Sequence, residues 1–272
     1  MNEYELPLVF FTVLCQWGIG GIIALTLYRL RPARADEQRM SANQLKYLVL
    51  GLWLVEVVGS ILSMLHLGQP FGAYRAVQGL PHSWLSREVI AFILVNASLF
   101  MLLAVCWLRP QKASWLTTLS MVTSVLGIAA ILVSAQIYYQ MVSHPLWHTP
   151  MTQLAFLSTA LLLGFSTLGI YLSCCGLAIT ATVRYGILAG CVLLMATLAG
   201  RYQIVGASAQ GVMLWWQLIG SILVGVVLFA LLSLRTRLAP LMAVLAGLAL
   251  VSGEVVGRML FYHNVMSQFP WF

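Results

Sequence analysis

The sequence predicts an all-α integral membrane protein, a bundle of eight transmembrane helices with both chain ends on the outer side (N-out/C-out). Three observations lead there. Only 8% of the 272 residues are charged, 61% are apolar and the mean hydropathy is +0.94, whereas a soluble domain carries about 25% charged residues to solvate its surface. Eight apolar stretches are long enough to cross the ~30 Å hydrocarbon layer, which takes roughly 20 helical residues. The basic residues, finally, are shared unevenly between the connections that join these stretches.

The stretches cover residues 6–28, 46–67, 86–107, 116–140, 152–173, 180–199, 213–234 and 238–262. The first is long enough to span, and its leader carries Glu3 and Glu5 instead of Lys or Arg, so it is expected to remain as a span and not to be a cleaved signal. Pro32, Pro70, Pro81, Pro110, Pro145, Pro150 and Pro240 lie in or beside the connections, where they break helices. The fourth and fifth spans fall in a region, between Lys112 and Arg184, with no charged side chain. Segment length and the lack of strict alternation favour helices over a barrel. Trp84, Trp107, Trp115, Trp147, Trp215, Trp216 and Trp271 sit near span ends, as an interfacial belt requires. No linker, charge block or repeat divides the chain, so a single transmembrane domain, 1–272, is expected.

The odd-numbered connections hold Arg29, Arg31, Arg34, Arg39, Lys46, Arg109, Lys112, Arg184, Arg235 and Arg237. The other side holds only Arg75, Arg87, Arg201 and Arg258. This bias places the odd connections in the cytoplasm and both ends outside, in the periplasm for a bacterial inner membrane. The net charge of +7 is thereby topogenic and not a nucleic-acid footprint. Cys15, Cys106, Cys174, Cys175 and Cys191 lie in or at the edges of apolar segments, without ligand spacing for a metal.

Ionisable residues inside spans are costly and need a partner or a function. His66 closes the second span, and Glu88 opens the third on the same outer side. A hairpin of these two helices brings both to similar depth, where one group can accept a hydrogen bond from a substrate hydroxyl and the other can carry its proton away. Such a pair suits oxidation of a lipid-soluble quinol, and the substrate site of a transporter could look the same. Glu56, ten residues before His66 and so roughly 15 Å deeper, is open between a buried hydrogen-bonded residue and a member of a proton path. Glu254 and Arg258, four residues apart, read as a structural ion pair on the last helix, with Gly253 and Gly257 as a close-packing seam. His82, His144, His148 and His263 read as loop or interfacial residues.

The stretch 63–70 (SMLHLGQP), followed by Ala73-Tyr74-Arg75 and by 83–88 (SWLSRE), strongly resembles the membrane-anchor subunit of the dimethyl sulfoxide reductase family, the DmsC family. The closing 253–262 (GEVVGRMLFY) looks like that family's last helix and 6–13 (LPLVFFTV), with Gln16, Gly20 and Gly21, like its first. The resemblance implies an anchor that oxidises menaquinol to menaquinone for partners on the periplasmic face. These are a ferredoxin-like iron–sulfur subunit and a molybdopterin catalytic subunit, which carry the iron–sulfur clusters and the molybdenum bis-pterin. The anchor itself would have no haem and no complete activity alone. It also implies that His66 and Glu88 serve the quinol site. Arg75 and Arg87, on the same side, are open between quinol-binding or docking groups and interfacial anchors to lipid phosphate. A b-type cytochrome anchor is the first rival, disfavoured because no span has a histidine near its middle. A secondary transporter is the second, disfavoured by the absence of visible inverted repeats or broken helices.

Overall fold

The computed structural model describes residues 6–32, 38–66, 79–205, 211–234 and 240–266; the side chains of residues 65, 66, 205, 240 and 264–266 lie outside that description. A hydrocarbon layer offers no water to backbone N–H and C=O groups, so a spanning segment must satisfy them within itself, as a helix. Among the described residues, eight helices are long and apolar enough to cross a membrane: α1 (Leu6–Leu30), α2 (Ala42–His66), α3 (Trp84–Leu108), α4 (Ala113–Tyr139), α5 (Met151–Cys174), α6 (Ala181–Val205), α7 (Val212–Ser233) and α8 (Pro240–Met266). No strand occurs among the described residues.

Helix ends follow local chemistry. Ser83 caps α3, its hydroxyl accepting from the Ser86 N–H at 3.3 Å. At α2, Ser41 and Gln44 form a reciprocal pair, Ser41 N–H to Gln44 Oε1 at 2.8 Å and Gln44 N–H to Ser41 Oγ at 3.2 Å, the pattern of a capping box. Gly176 (φ 69°) ends the turn after α5 in the left-handed region. The helix α7 is not uniform, because residues Leu218–Leu223 form a π-helical turn.

Two helices form the axis of the bundle. In α1 and α5, 72% and 67% of the most apolar window is buried, against 28–39% in the other six helices. The axis packs α1 on α2, α4 and α5, and α5 on α6. It is possible because small residues meet at the crossing: a methyl group on Gly20 would overlap the Ala160 carbonyl, and one on Gly164 would overlap the Gly20 backbone. Close backbone approach through a small-xxx-small spacing replaces the hydrophobic effect, which gives little drive between helices in lipid. The expected seam on α8 exists as well. A Cβ on Gly253 would lie 2.7 Å from the backbone of Gly220 and Ser221, and one on Gly257 would overlap Gln217. Outward, Leu54, Val58 and Ile61 of α2 and Leu241, Val244, Leu245 and Leu248 of α8 stay exposed, as a lipid-facing surface must.

Two expectations are corrected. The span expected to stop at residue 199 continues to Val205, taking Arg201 into the helix, where its guanidinium stacks 4.7 Å from the Phe261 ring. Trp147 is not an interfacial anchor: it is 2% exposed, with its indole N–H donating to the Phe261 carbonyl at 3.0 Å. Trp107, Trp115, Trp215 and Trp216 do sit exposed near helix ends.

Gly20→Leu is expected to destabilise the protein by about 1–3 kcal/mol or more through overpacking. Gly51→Ala, where nothing lies within 4 Å of the added carbon, should stay within ~1 kcal/mol of wild type. Thermal unfolding of the detergent-solubilised protein distinguishes the two.

Candidate functional site

One end of the bundle gathers the polar groups. The α3 start carries Arg87 and Glu88 on different sides. Arg87 is half-buried and spent on the preceding loop, donating from Nε to the Leu80 carbonyl at 3.1 Å and from Nη2 to the Pro81 carbonyl at 2.8 Å, with Trp84 stacked 4.4 Å away. Glu88 turns inward and is 6% exposed, beside the Ser134 hydroxyl of α4. One turn further along α4, the Tyr138 hydroxyl meets that of Tyr262 on α8 at 2.8 Å. Tyr262 in turn faces Thr12 of α1. Aromatic rings close this cluster: Trp147 stacks on Phe261 at 5.6 Å, and Phe156 packs edge-on against Phe261 at 5.7 Å.

The α2 helix runs to His66, whose side chain lies outside the described residues, as does Arg75 entirely. The helix register nevertheless fixes its level. Asn96 Nδ2 donates to Ser60 Oγ at 2.9 Å, tying α3 to α2. From that tie His66 is six residues on and Glu88 eight residues back, about 9 Å and 12 Å toward the same end at 1.5 Å per residue. The two backbone positions are thus level to within about 3 Å.

Below them lies Glu56, fully buried, its carboxylate close to the Cys15 thiol and without a hydrogen bond of good geometry among the described residues. It occupies the space that Gly18 of α1 leaves: a Cβ there would lie 2.8 Å from Glu56 Oε2. The Cys15 thiol bridges upward, 3.7 Å from the Glu56 carbonyl and 3.9 Å from Ser60 Oγ. Glu56, Cys15, Ser60 and Asn96 thereby form a file of polar atoms directed toward the end that carries Glu88.

Glu254 and Arg258 meet at Thr159 of α5. The Thr159 hydroxyl donates to Glu254 Oε2 at 2.6 Å and lies 3.4 Å from Arg258 Nη2, which also donates to Gln16 Oε1 of α1 at 2.7 Å. Ser221, in the π-helical turn of α7, faces Glu254. Arg258 lies over the Phe156 ring at 3.8 Å, so Phe261 is flanked by two guanidinium groups, those of Arg258 and Arg201. A small cavity between α5, α6, α7 and α8 is lined by Arg201, Arg258, Glu254, Gln217 and Thr159. The spacing of Glu254 and Arg258 pointed to this region, but nothing in the sequence singled out Thr159, Gln217 and Tyr138, whose partners are distant in the chain. Among the described residues no group of three His, Cys, Asp or Glu side chains is arranged to hold a metal ion.

Thr159→Val, which keeps the shape and removes the shared hydroxyl, should cost about 1–3 kcal/mol because Glu254 loses its donor while buried. Thr159→Ser should retain most of the stability. Melting temperatures of the two variants, measured side by side, test the arrangement.

Comparison with known proteins places the molecule. Residues 1–263 match the family model described as DMSO reductase anchor subunit (DmsC). A component of the anaerobic dimethyl sulfoxide reductase of Escherichia coli K12 is 29% identical over 286 aligned positions, covering 95% of this protein and 94% of the relative. Its counterpart of the same description from Haemophilus influenzae is 30% identical over 165 residues, spanning 60% of this protein and 57% of the relative. A sulfite dehydrogenase component of Allochromatium vinosum is 31% identical over 179 residues, spanning 60% of this protein and 53% of that one. An end-to-end match over eight apolar helices leaves one conclusion: the chain belongs to the DMSO reductase anchor subunit (DmsC) family.

Proposed function

We propose that this protein anchors a molybdopterin-dependent reductase of the dimethyl sulfoxide reductase type to the bacterial inner membrane and oxidises menaquinol on its behalf. The observation that carries the reading is the placement of Glu88, a buried carboxyl beside Ser134, level with His66 and adjoining the Tyr138–Tyr262 hydroxyl pair. Menaquinol enters from the lipid at this end, and its hydroxyl hydrogen-bonds to His66. Oxidation to menaquinone releases two protons and two electrons, the electrons leaving one at a time to the iron–sulfur clusters that a ferredoxin-like partner would supply. Glu88 receives these protons one after the other, passing the first to the outer surface before it takes the second. A buried acid that exchanges a proton at the substrate contributes about 10²–10⁴-fold to such a step. The partner iron–sulfur and catalytic subunits dock on the same face, where Arg75 supplies a cation and Arg87, already bound to Leu80 and Pro81, stiffens the loop.

The uneven distribution of basic residues supports an outward position for both ends and for this site. Glu56, a buried carboxyl one turn below Ser60 and close to the Cys15 thiol, serves as a proton reservoir for the same site.

His66→Ala and Glu88→Gln should each lower menaquinol oxidation by at least ~10²-fold while the partner subunits remain membrane-bound; wild-type rates in both variants would remove the assignment. Glu56→Gln, close in shape, should leave assembly unchanged and slow turnover. For the topology, a cysteine introduced as Ser267→Cys should react with a membrane-impermeant thiol reagent in intact spheroplasts. Labelling only after lysis would reverse the orientation.

A further inference from the structure

The opposite end of the bundle holds a separate feature that goes beyond the quinol reading. The last turn of α1, the segment around Arg39 and the first turn of α4 enclose a cavity of about 110 Å³. Arg29, Arg31 and Arg39 all line it, with Tyr28, Ala113 and Thr117. Arg29 is half-buried, and its Nη2 makes only long hydrogen bonds, 3.4 Å to the Ala113 carbonyl and 3.3 Å to Thr117 Oγ1. Its Nε is buried without an acceptor. Arg39 is held at the rim by a 3.2 Å bond from Nη2 to the Arg31 carbonyl. The cavity also meets the start of α4, a 27-residue helix whose cap residue, Lys112, makes no side-chain cap bond. The positive end of its dipole therefore adds to the field of the arginines.

Topogenic charge needs only to lie in a connection. It gives no reason for three guanidinium groups to converge on one cavity at an uncapped helix start. We propose that this cavity binds a phosphate anion, presented as the headgroup of an anionic phospholipid of the adjoining leaflet. The cavity lies where the spans Leu6–Leu30 and Ala113–Tyr139 end, which is headgroup depth. Beside it Leu30 and Trp115 are 48% and 59% exposed, leaving apolar surface for an acyl chain. Arginine forks match phosphate oxygens in pairs, and basic pockets between spans are a known way to hold such headgroups. The competing anions are Asp36 and Glu37 of the same connection, which lie outside the described residues.

The test uses the full-length protein in nanodiscs of phosphatidylcholine alone or with phosphatidylglycerol added, read by thermal unfolding and by the phospholipid retained in native mass spectrometry. Wild type should unfold at higher temperature with phosphatidylglycerol and retain it. Arg29→Gln and Arg39→Gln should each weaken that retention about fivefold, while Arg184→Gln, at the start of α6 and outside the cavity lining, should not. Equal behaviour in the two lipids overturns the proposal without need of any variant. Stabilisation by inorganic phosphate in detergent, equal to that by the lipid, overturns the lipid source. Lipid preference that appears only in the Asp36→Asn/Glu37→Gln double variant shows that the protein's own acids fill the cavity, and also overturns it.

Discussion

The close crossing of α1 and α5 sets the terms for the rest of the molecule. Helices in lipid gain little from burying apolar side chains against each other, so a tight bundle needs backbones that can approach. Gly20, Ala160 and Gly164 provide that approach, and no side chain larger than a methyl group intervenes. Once α1 and α5 are fixed, Gln16 of α1 and Thr159 of α5 stand on the same side of the crossing, facing α8. Arg258 can then reach both, and Glu254 is held through Thr159. The polar network is a consequence of helix proximity as much as of helix sequence.

This order of dependence explains how a protein with three carboxylates in its spans tolerates them. Each lies against α1 or the helices packed on it: Glu56 in the gap at Gly18, Glu88 beside Ser134, and Glu254 under Thr159. The arginines are treated differently. Arg258 and Arg201 lie over the faces of Phe156 and Phe261, where a weakly hydrated planar cation keeps favourable electrostatics after losing water. A lysine, with its compact and strongly hydrated charge, would lose more at these positions. Glutamates set beside hydroxyls or in glycine gaps and arginines laid over rings are two solutions to the same desolvation problem.

Much of the fold is legible in the sequence because lipid acts on composition directly. Eight apolar runs of sufficient length give eight helices, and prolines with basic residues mark the connections. The ends are less legible. A hydropathy window stops at the first charge, yet Arg201 continues its helix because Phe261, distant in sequence, receives the guanidinium. For the same reason Trp147 looks like an interfacial anchor from its position in the chain, although a neighbouring helix buries it. At the candidate site, Glu88 stands out because a charged residue in a span is rare. Tyr138, Thr159 and Gln217 do not, since only three-dimensional proximity distinguishes a networked hydroxyl or amide from a packed one. The convergence of Arg29, Arg31 and Arg39 on one cavity is likewise hidden, because their charges already have a role in orientation.

The π-helical turn Leu218–Leu223 has a geometric consequence for α7. A π turn accommodates one extra residue, and one residue corresponds to about 100° of rotation. The two halves of α7 are therefore phased apart: Trp215 and Trp216 face outward from the first half, while Gly225, Leu228 and Leu232 face inward from the second on a different wheel. Removing one residue other than Ser221 from the turn would rejoin the halves as one α-helix. It would then force a choice between keeping the tryptophans in lipid and keeping Ser221 against Glu254. In that sense α7 is two short helices with separate loyalties, one to the membrane surface and one to the buried acid, spliced where neither could yield.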